Sequence, residues 1–313
     1  VGIANEELLR KATFTTDALV AQGTSLSIEQ VTTFLRLAIT PQVMLPDVRT
    51  VTSAAAKWQE AHIDFADRVL RPGVQGARLA DADRVQPQTE MIEIDTVLVR
   101  GEVPIADEVM EDNFEREGFG NTVMAMVAEA SGRDIEDLMI NGDTTSGDSF
   151  YALCNGWLKL CQTGGSSVVN GATYGDDYQA LFLSMLQELP AKYKRDKPNM
   201  RFYVPLSLEE NYRASLAARG TPLGDALLSG SQPLMFQDVA IVPVPLLNIS
   251  GTTGTVLLAH RLNLYAGFHR QIRMETWRDP REGATSWVIT ARVAPAVGHP
   301  AATVVATSVQ VSG

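Results

Sequence analysis

The chain has 313 residues, 26 Lys and Arg against 37 Asp and Glu, a formal charge of -11, 45% hydrophobic residues and a mean hydropathy of -0.01. That is core material for one large or two medium domains, and the acidity disfavours a reader of duplex DNA, which needs a basic face, without disfavouring a container for nucleic acid. No apolar run near 18 residues offers a membrane span, no signal peptide opens the chain, and Cys154 and Cys161 make no disulfide framework, which points to a reducing cytoplasm during folding. The start at Val1 rather than Met predicts that an initiator or a longer leader has been removed.

The first stretch reads as an arm. Glu6 to Lys11 is helical in composition, Gly23 to Ser25 interrupts, and Ser27-x-x-Gln30 looks like a capping box. Ile28, Val31, Leu35 and Ile39 then share one helix face until Pro41 stops it. Such short amphipathic helices must lie on something larger, whether their own chain or a neighbouring copy. Val48 to Thr52 reads as a strand. From Trp58 to Thr89, Asp64, Asp67, Asp81 and Asp83 mix with Arg68, Arg71, Arg78 and Arg84, broken by Pro72-Gly73 and Gly76. The default for such a mixture is a solvated face. As a hairpin over residues 56–100, however, each arm of about 20 residues would reach roughly 65 Å at about 3.3 Å per residue. A compact globule of this length has a radius of gyration of only roughly 20 Å. Its own domain could not cover such a hairpin, so those eight charged residues are predicted to be inter-subunit contacts.

Met91 to Arg100 alternates as a half-buried strand, with Ile92, Ile94 and Leu98 on one parity and Glu93 and Asp95 on the other. Gly101, Val103 and Pro104 are expected to break it, and Ala106 to Asn113 to make two acidic turns. From about Asn121 the period becomes helical: Met124, Ala128, Ser131, Ile135 and Leu138 form a stripe, with Glu129, Arg133 and Glu136 mostly off it. Asn141-Gly142 is expected to supply a left-handed residue that ends this long helix. A turn-rich stretch follows. Asp176 to Lys194 reads as a helix with Leu181, Met185 and Leu189 on one face, Arg201 to Pro205 as a strand, Leu208 to Ala218 as a helix and Val239 to Val244 as a strand. This alternation predicts an α/β domain over about 150 to 257. Val256 to Ala259, Gln271 to Trp277, Ser286 to Val293 and Thr303 to Val309 form a β-rich tail, with Asp279 to Gly283 as a turn between two of them.

Chemistry is thin. His62, His260, His269 and His299 sit in no nucleophile motif, and no G-x-S-x-G elbow occurs. Cys154 and Cys161 lack C-x-x-C spacing. Asp107, Glu108, Glu111 and Asp112 open a short helix, where carboxylates oppose the helix dipole; inter-subunit ion pairs are the competing use. Asn141 to Asp148 lacks the alternating order and distal Glu of a calcium loop, and Gly164-Gly165-Ser166-Ser167 lacks the Lys of a phosphate loop. No catalytic, cofactor-binding or metal residue is assigned.

Three patches in order carry a family resemblance: VPIADEVMEDN followed by INGD; PLSLEENYRASL, LGDALLSG and VAIVPVP; and YAGFHRQIRMETWRDPREGATSWVITARVAPAVGHPAA. Together they resemble the major capsid proteins of tailed bacteriophages with the Hong Kong 97 fold. The resemblance implies an α+β fold. It would comprise an N-terminal arm (1–50), an extended loop with flanking strands (51–100), a peripheral domain with a long spine helix (101–147 and 259–298) and an axial domain (148–258 and 299–313). The loop from Gly220 to Met235 would face the axis. The chain would be a shell subunit without enzymatic activity, assembling as hexamers and pentamers into an icosahedral head. Implied partners are copies of itself, a portal, a scaffold or protease, a decoration protein, and packaged double-stranded DNA bound without sequence preference. The implied location is the virion, after assembly in the bacterial host cytoplasm. One departure stands out. Some family members weld their shells through a lysine of the extended loop, but no lysine lies between Lys57 and Lys159, so that chemistry is expected to be absent. Two rivals remain: an encapsulin-type nanocompartment subunit, which shares the fold though the long arm favours the phage, and an α/β enzyme with its site in 148–258.

Overall fold

The computed structural model describes residues 42–64, 69–70, 72, 78, 80, 84–86, 88–112, 117–217, 233–247, 249–250, 252–269 and 273–311. The arm helices expected before Pro41 and most of the loop from Gly220 to Met235 lie outside the described residues. In chain order come β1 (Arg49–Ser53), β2 (Lys57–Asp64), β3 (Gln88–Asp95), β4 (Val97–Ala106), α1 (Asp107–Asp112) and α2 (Glu117–Asn141). Then follow α3 (Trp157–Thr163), β5 (Ser167–Asn170), α4 (Tyr178–Glu188), β6 (Met200–Val204), α5 (Leu206–Ala217), β7 (Met235–Phe236) and β8 (Val239–Pro243). The chain closes with β9 (Ile249–Ser250), β10 (Thr253–His260), β11 (Leu264–His269), β12 (Arg273–Asp279), β13 (Ala284–Val297) and β14 (Val304–Gln310).

Two sheets organise these elements. The first is built on β13, the longest strand, with β4 antiparallel along one side, β12 and β11 end to end along the other, and β1 parallel outside β11. The second runs β5-β14-β10-β6-β8-β7, with β9 beside β10. Its core is apolar and aromatic: Leu181, Phe182 and Met185 of α4 pack on Phe202, Val204, Leu258 and Val304. Phe182 lies 4.7 Å from Phe202 and edge-on to Tyr212 at 5.3 Å between ring centroids.

The long helix α2 joins the sheets. Ile135, Leu138, Met139 and Ile140 share one core with Trp157, Ala291 and Val293 from the first sheet's side and Tyr203, Leu257 and Val305 from the second. Nearer its start, Val123 and Val127 meet Ile105, Val109 and Trp287. This corrects the predicted stripe, because Ala128 is exposed. Eleven residues make about three turns, so Val127 returns to within ~20° of Leu138, whereas Ala128 is ~80° away. The side chain of Met124 lies outside the described set.

The helix ends where expected but for another reason. Among the described residues the glycines with positive φ are Gly165, Gly175 and Gly283, so Gly142 is not left-handed. Its missing side chain admits backbone instead. A Cβ there would stand 2.5 Å from the Cys154 carbonyl oxygen and 2.6 Å from that of Leu138. Gly156 mirrors it, 2.6 Å from the Ile140 carbonyl oxygen, and its N–H donates to the Gly142 carbonyl at 2.7 Å. The two glycines let the end of α2 and the start of α3 cross backbone to backbone.

Other expectations shift at their edges. Gly101, Val103 and Pro104 do not break the strand; the interruption is at Thr96, whose N–H and hydroxyl both donate to the Ala56 carbonyl at 3.1 and 2.7 Å. Among the described residues β4 pairs on one side only, and an edge strand tolerates a residue without an N–H. The helix expected to reach Lys194 stops at Glu188, two residues before Pro190. β11, with no predicted strand over it, is a six-residue run held by partners distant in sequence.

Candidate assembly surfaces

The predicted hairpin exists. β2 and β3 pair from Lys57 opposite Asp95 to Asp64 opposite Gln88. The expectation that its own domain cannot cover it is corrected at the base. There Trp58, Ile92 and Ile94 pack with Val51, Tyr265, Ala294 and Ala296. Gly267 makes the room, since a Cβ there would lie 2.8 Å from Ile94 and 3.2 Å from the Trp58 ring. Lys57–Glu93 at 3.4 Å and Arg49–Glu60 at 3.3 Å flank this base. Farther along the loop, Val69 is 56% and Leu70 83% exposed. Of the eight predicted contact residues, Asp64 ends the described ladder, and Arg78 and Arg84 are exposed. Arg68, Arg71, Asp67, Asp81 and Asp83 lie outside the described residues.

The first sheet presents a solvent face opposite α2. Pairing aligns Glu275, Val288 and Glu102 in one row, and Trp277, Ser286 and Pro104 in the next. Trp277 is 66% exposed and Leu98, farther along β4, 49%. The inward parity of β13 carries Trp287, Ile289, Ala291 and Val293, all buried.

A third feature lies where the chain enters the body. Glu136, expected off the buried stripe, is 1% exposed. Its carboxylate accepts from the backbone N–H groups of Val43 at 3.0 Å, Met44, and Leu45 at 3.0 Å. Periodicity misplaced it because the donors come from a segment more than 90 residues away; a buried carboxylate needs such donors. Two residues on, Asp47 accepts from the Tyr203 hydroxyl at 2.9 Å and faces Arg201 at 3.6 Å and Arg261 at 3.8 Å. Burial first, then the Asp47 charge, pushes the Tyr203 phenol far up. Residues 43–47 are thus tied to the long helix and to the second sheet.

Several of the remaining candidate groups are held internally. Asp107 accepts from the Thr285 hydroxyl at 2.9 Å and from Arg278 at 3.0 Å, and these two bonds hold its carboxyl below the usual range. It therefore pins α1 to the β12–β13 pair. Asp143 accepts from Thr145 and from Lys159 at 2.9 Å, which brings its pKa to about 2. His260 accepts at Nδ1 from the Leu262 N–H at 3.2 Å, and its Nε2 lies 3.2 Å from Asp196. The His299 ring is 6.4 Å from that of Tyr193, the His269 Nδ1 is buried, and the His62 side chain is outside the described set. Burial lifts the Cys154 thiol to about 11 and raises that of Cys161, away from the reactive thiolate.

No protein-family model matches the chain. Among curated proteins it is similar to YqbE of Bacillus subtilis (strain 168), described as a prophage capsid protein, at 30% identity over 298 residues, 92% of this chain and 94% of that protein. Among solved structures, the satellite phage P4 procapsid, which includes its size-determination protein, is similar over 99% of both chains at TM-score 0.66 and 12% identity. The capsid of a native GTA particle aligns over 87% of this chain and 95% of its own at TM-score 0.62 and 13% identity. The SrpI encapsulin of Synechococcus elongatus PCC 7942 aligns over 88% and 90% at TM-score 0.61 and 14% identity. At these identities the structural likenesses establish the fold, and the YqbE relationship establishes the lineage. The chain belongs to the phage and prophage capsid proteins, built on the Hong Kong 97-like fold.

Proposed function

We propose that this chain is the major capsid protein of a tailed phage or prophage, self-assembling into the icosahedral head shell around double-stranded DNA. The observation that carries the reading is identity of 30% to a prophage capsid protein along 92% of the chain. The β2–β3 hairpin fits it: its base packs on the body, while Val69 and Leu70 farther along the loop are exposed and open to a neighbour. In this reading 101–147 and 259–298 form the peripheral domain, and 148–258 with 299–313 the axial domain around the symmetry axes. The arm (1–50) and extended loop (51–100) lie on adjacent subunits. Portal, scaffold and decoration proteins are the further partners, the role is structural rather than enzymatic, and assembly takes place in the host cytoplasm. Electron microscopy of the purified protein tests this: closed shells are expected, and a monomer that turns over a substrate would overturn it. Shells containing an enzyme instead of nucleic acid would favour a nanocompartment.

Arg68, Arg71, Arg78 and Arg84 are proposed to meet acidic groups of adjacent chains, and Asp64, Asp67, Asp81 and Asp83 to be inter-subunit contacts as well. Exposed pairs contribute about 0–1 kcal/mol each, so strength comes from repetition and from apolar overlap. Deleting Asp64 to Asp83 should leave a folded, soluble subunit, because Trp58, Ile92 and Ile94 still anchor the base. It should build no shells; normal particles would refute the loop's role. With no lysine between Lys57 and Lys159 to serve as a nucleophile, mature particles boiled in detergent should run as one band near 34.0 kDa. A covalent ladder that survives reductant would overturn that expectation.

A further inference from the structure

We infer that Asn263 is the positioning residue that holds the two sheets at a fixed angle, and that this angle sets the curvature with which copies of the chain close into a particle. The inference rests on the shell reading and adds to it a residue on which particle size depends. It starts from register. In the second sheet β10 pairs with β14 as far as the rung Leu258–Val304, and in the first β11 pairs with β13 from the rung Leu264–Val297. β10 leads into β11, and β13 into β14, so the four strands make one long antiparallel ribbon shared by both sheets. Between those two rungs, residues 259–263 on one side and 298–303 on the other form no rung with each other. Each side makes a tight 3-10 turn there, Arg261–Asn263 and Pro300–Ala302, and the ribbon passes from one sheet to the other.

Across this gap the Asn263 side chain supplies the missing rung. Its Nδ2 donates to the His299 carbonyl at 2.9 Å, and its Oδ1 accepts from the His299 N–H at 2.8 Å. The Gly298 N–H donates to the Asn263 carbonyl at 2.9 Å. Gly298 leaves the amide its place, since a Cβ there would stand 2.7 Å from Asn263 Oδ1. A cavity of about 310 Å³ lies beside the crossing, lined by Arg49, Tyr193, Met200, Tyr265 and Ala302 together with these residues, so side-chain packing does not fix the crossing from that side. The core around Leu138 also joins the sheets, but apolar burial has no preferred direction. A planar amide bonded to both backbone groups of one residue does. In a shell the same angle recurs in every copy, so slight play in each subunit spreads into a range of curvatures.

Three full-length variants test this. Asn263→Asp keeps the shape but sets an oxygen against the His299 carbonyl, where the donor stood. Gly298→Ala drives a methyl group into the amide's place. His299→Ala keeps both backbone groups and is the control. In the unassembled subunit, spin labels on Leu183→Cys, on the helix over the second sheet, and Trp277→Cys, on the first, read the angle directly. Both positions are exposed, whereas Cys161 is buried and burial lifts the Cys154 thiol to about 11. The label distances should spread at least twice as widely in Asn263→Asp and Gly298→Ala as in the labelled parent, and no more widely in His299→Ala. Particles of the unlabelled Asn263→Asp and Gly298→Ala chains should show at least twice the parent's spread of diameters by electron microscopy; a mere loss of stability would lower yield at unchanged diameter. Parent-like label distances in both variants, or equal broadening in His299→Ala, would overturn the inference whether or not shells form. Failure of both variants to fold would also overturn it, making Asn263 a stability element. Broadened distances with particles of uniform diameter would overturn the link to curvature. Absence of particles from the unmodified chain would instead strike the capsid reading, and the label distances would still decide on Asn263.

Discussion

Replacing Glu136 with alanine is expected to destabilise the isolated subunit by about 3 kcal/mol or more, from about 1–3 kcal/mol for each of three donors left unsatisfied. The carboxylate is 1% exposed and accepts from the N–H groups of Val43, Met44 and Leu45. Three donors would thus lose their acceptor at once, the Met44 N–H in a buried bond and those of Val43 and Leu45 in part-buried ones. Domain stabilities run to only about 5–15 kcal/mol, so the variant would stand near its unfolding threshold. Glu136→Gln keeps one acceptor oxygen and should lose less. Urea unfolding of the unassembled subunit reads both values. A loss below about 1 kcal/mol for the alanine variant would mean that residues 43–45 find other acceptors.

Leu138→Asp is expected to abolish folding. Leu138 is 0% exposed and packs in the core shared by both sheets. Alanine there should cost about 2–5 kcal/mol through the cavity it leaves. Aspartate adds the burial of a carboxylate with no donor directed at it, several kcal/mol more. The expected result is insoluble protein, with Leu138→Ala soluble but lower in its unfolding midpoint. Normal expression and assembly of the aspartate variant would show that this face of α2 does not pack as described.

Elements governed by local pattern were legible. The long helix, its end at Asn141, the α4 stripe of Leu181, Met185 and Leu189, and β6 and β8 follow from spacing and capping alone. What was misread depends on distant partners. Glu136 looks like a solvated residue until a segment 92 residues earlier presents its N–H groups. Gly142 looks like a left-handed stop until Cys154 and Gly156 arrive against it. β4 runs through Gly101 and Pro104 because β13 supplies the other half of the ladder. The proposed assembly loop stands in the sequence as a long stretch of mixed charge. Trp277 was passed over within a strand, because its exposure is a property of the folded sheet.

The open side of β4 has a further consequence. Along that strand the backbone groups directed away from β13 face no partner strand among the described residues. In a molecule made to gather at high local concentration, such a row is an invitation to stack strand on strand into fibres, a dead end that competes with closed particles. Pro104 removes one donor from the row, Gly101 weakens its propensity to stack, and Arg100 and Glu102 set charge beside it. These residues make ribbon-like polymerisation unfavourable while leaving side-chain surfaces available, so association is steered away from the backbone and into geometries that close.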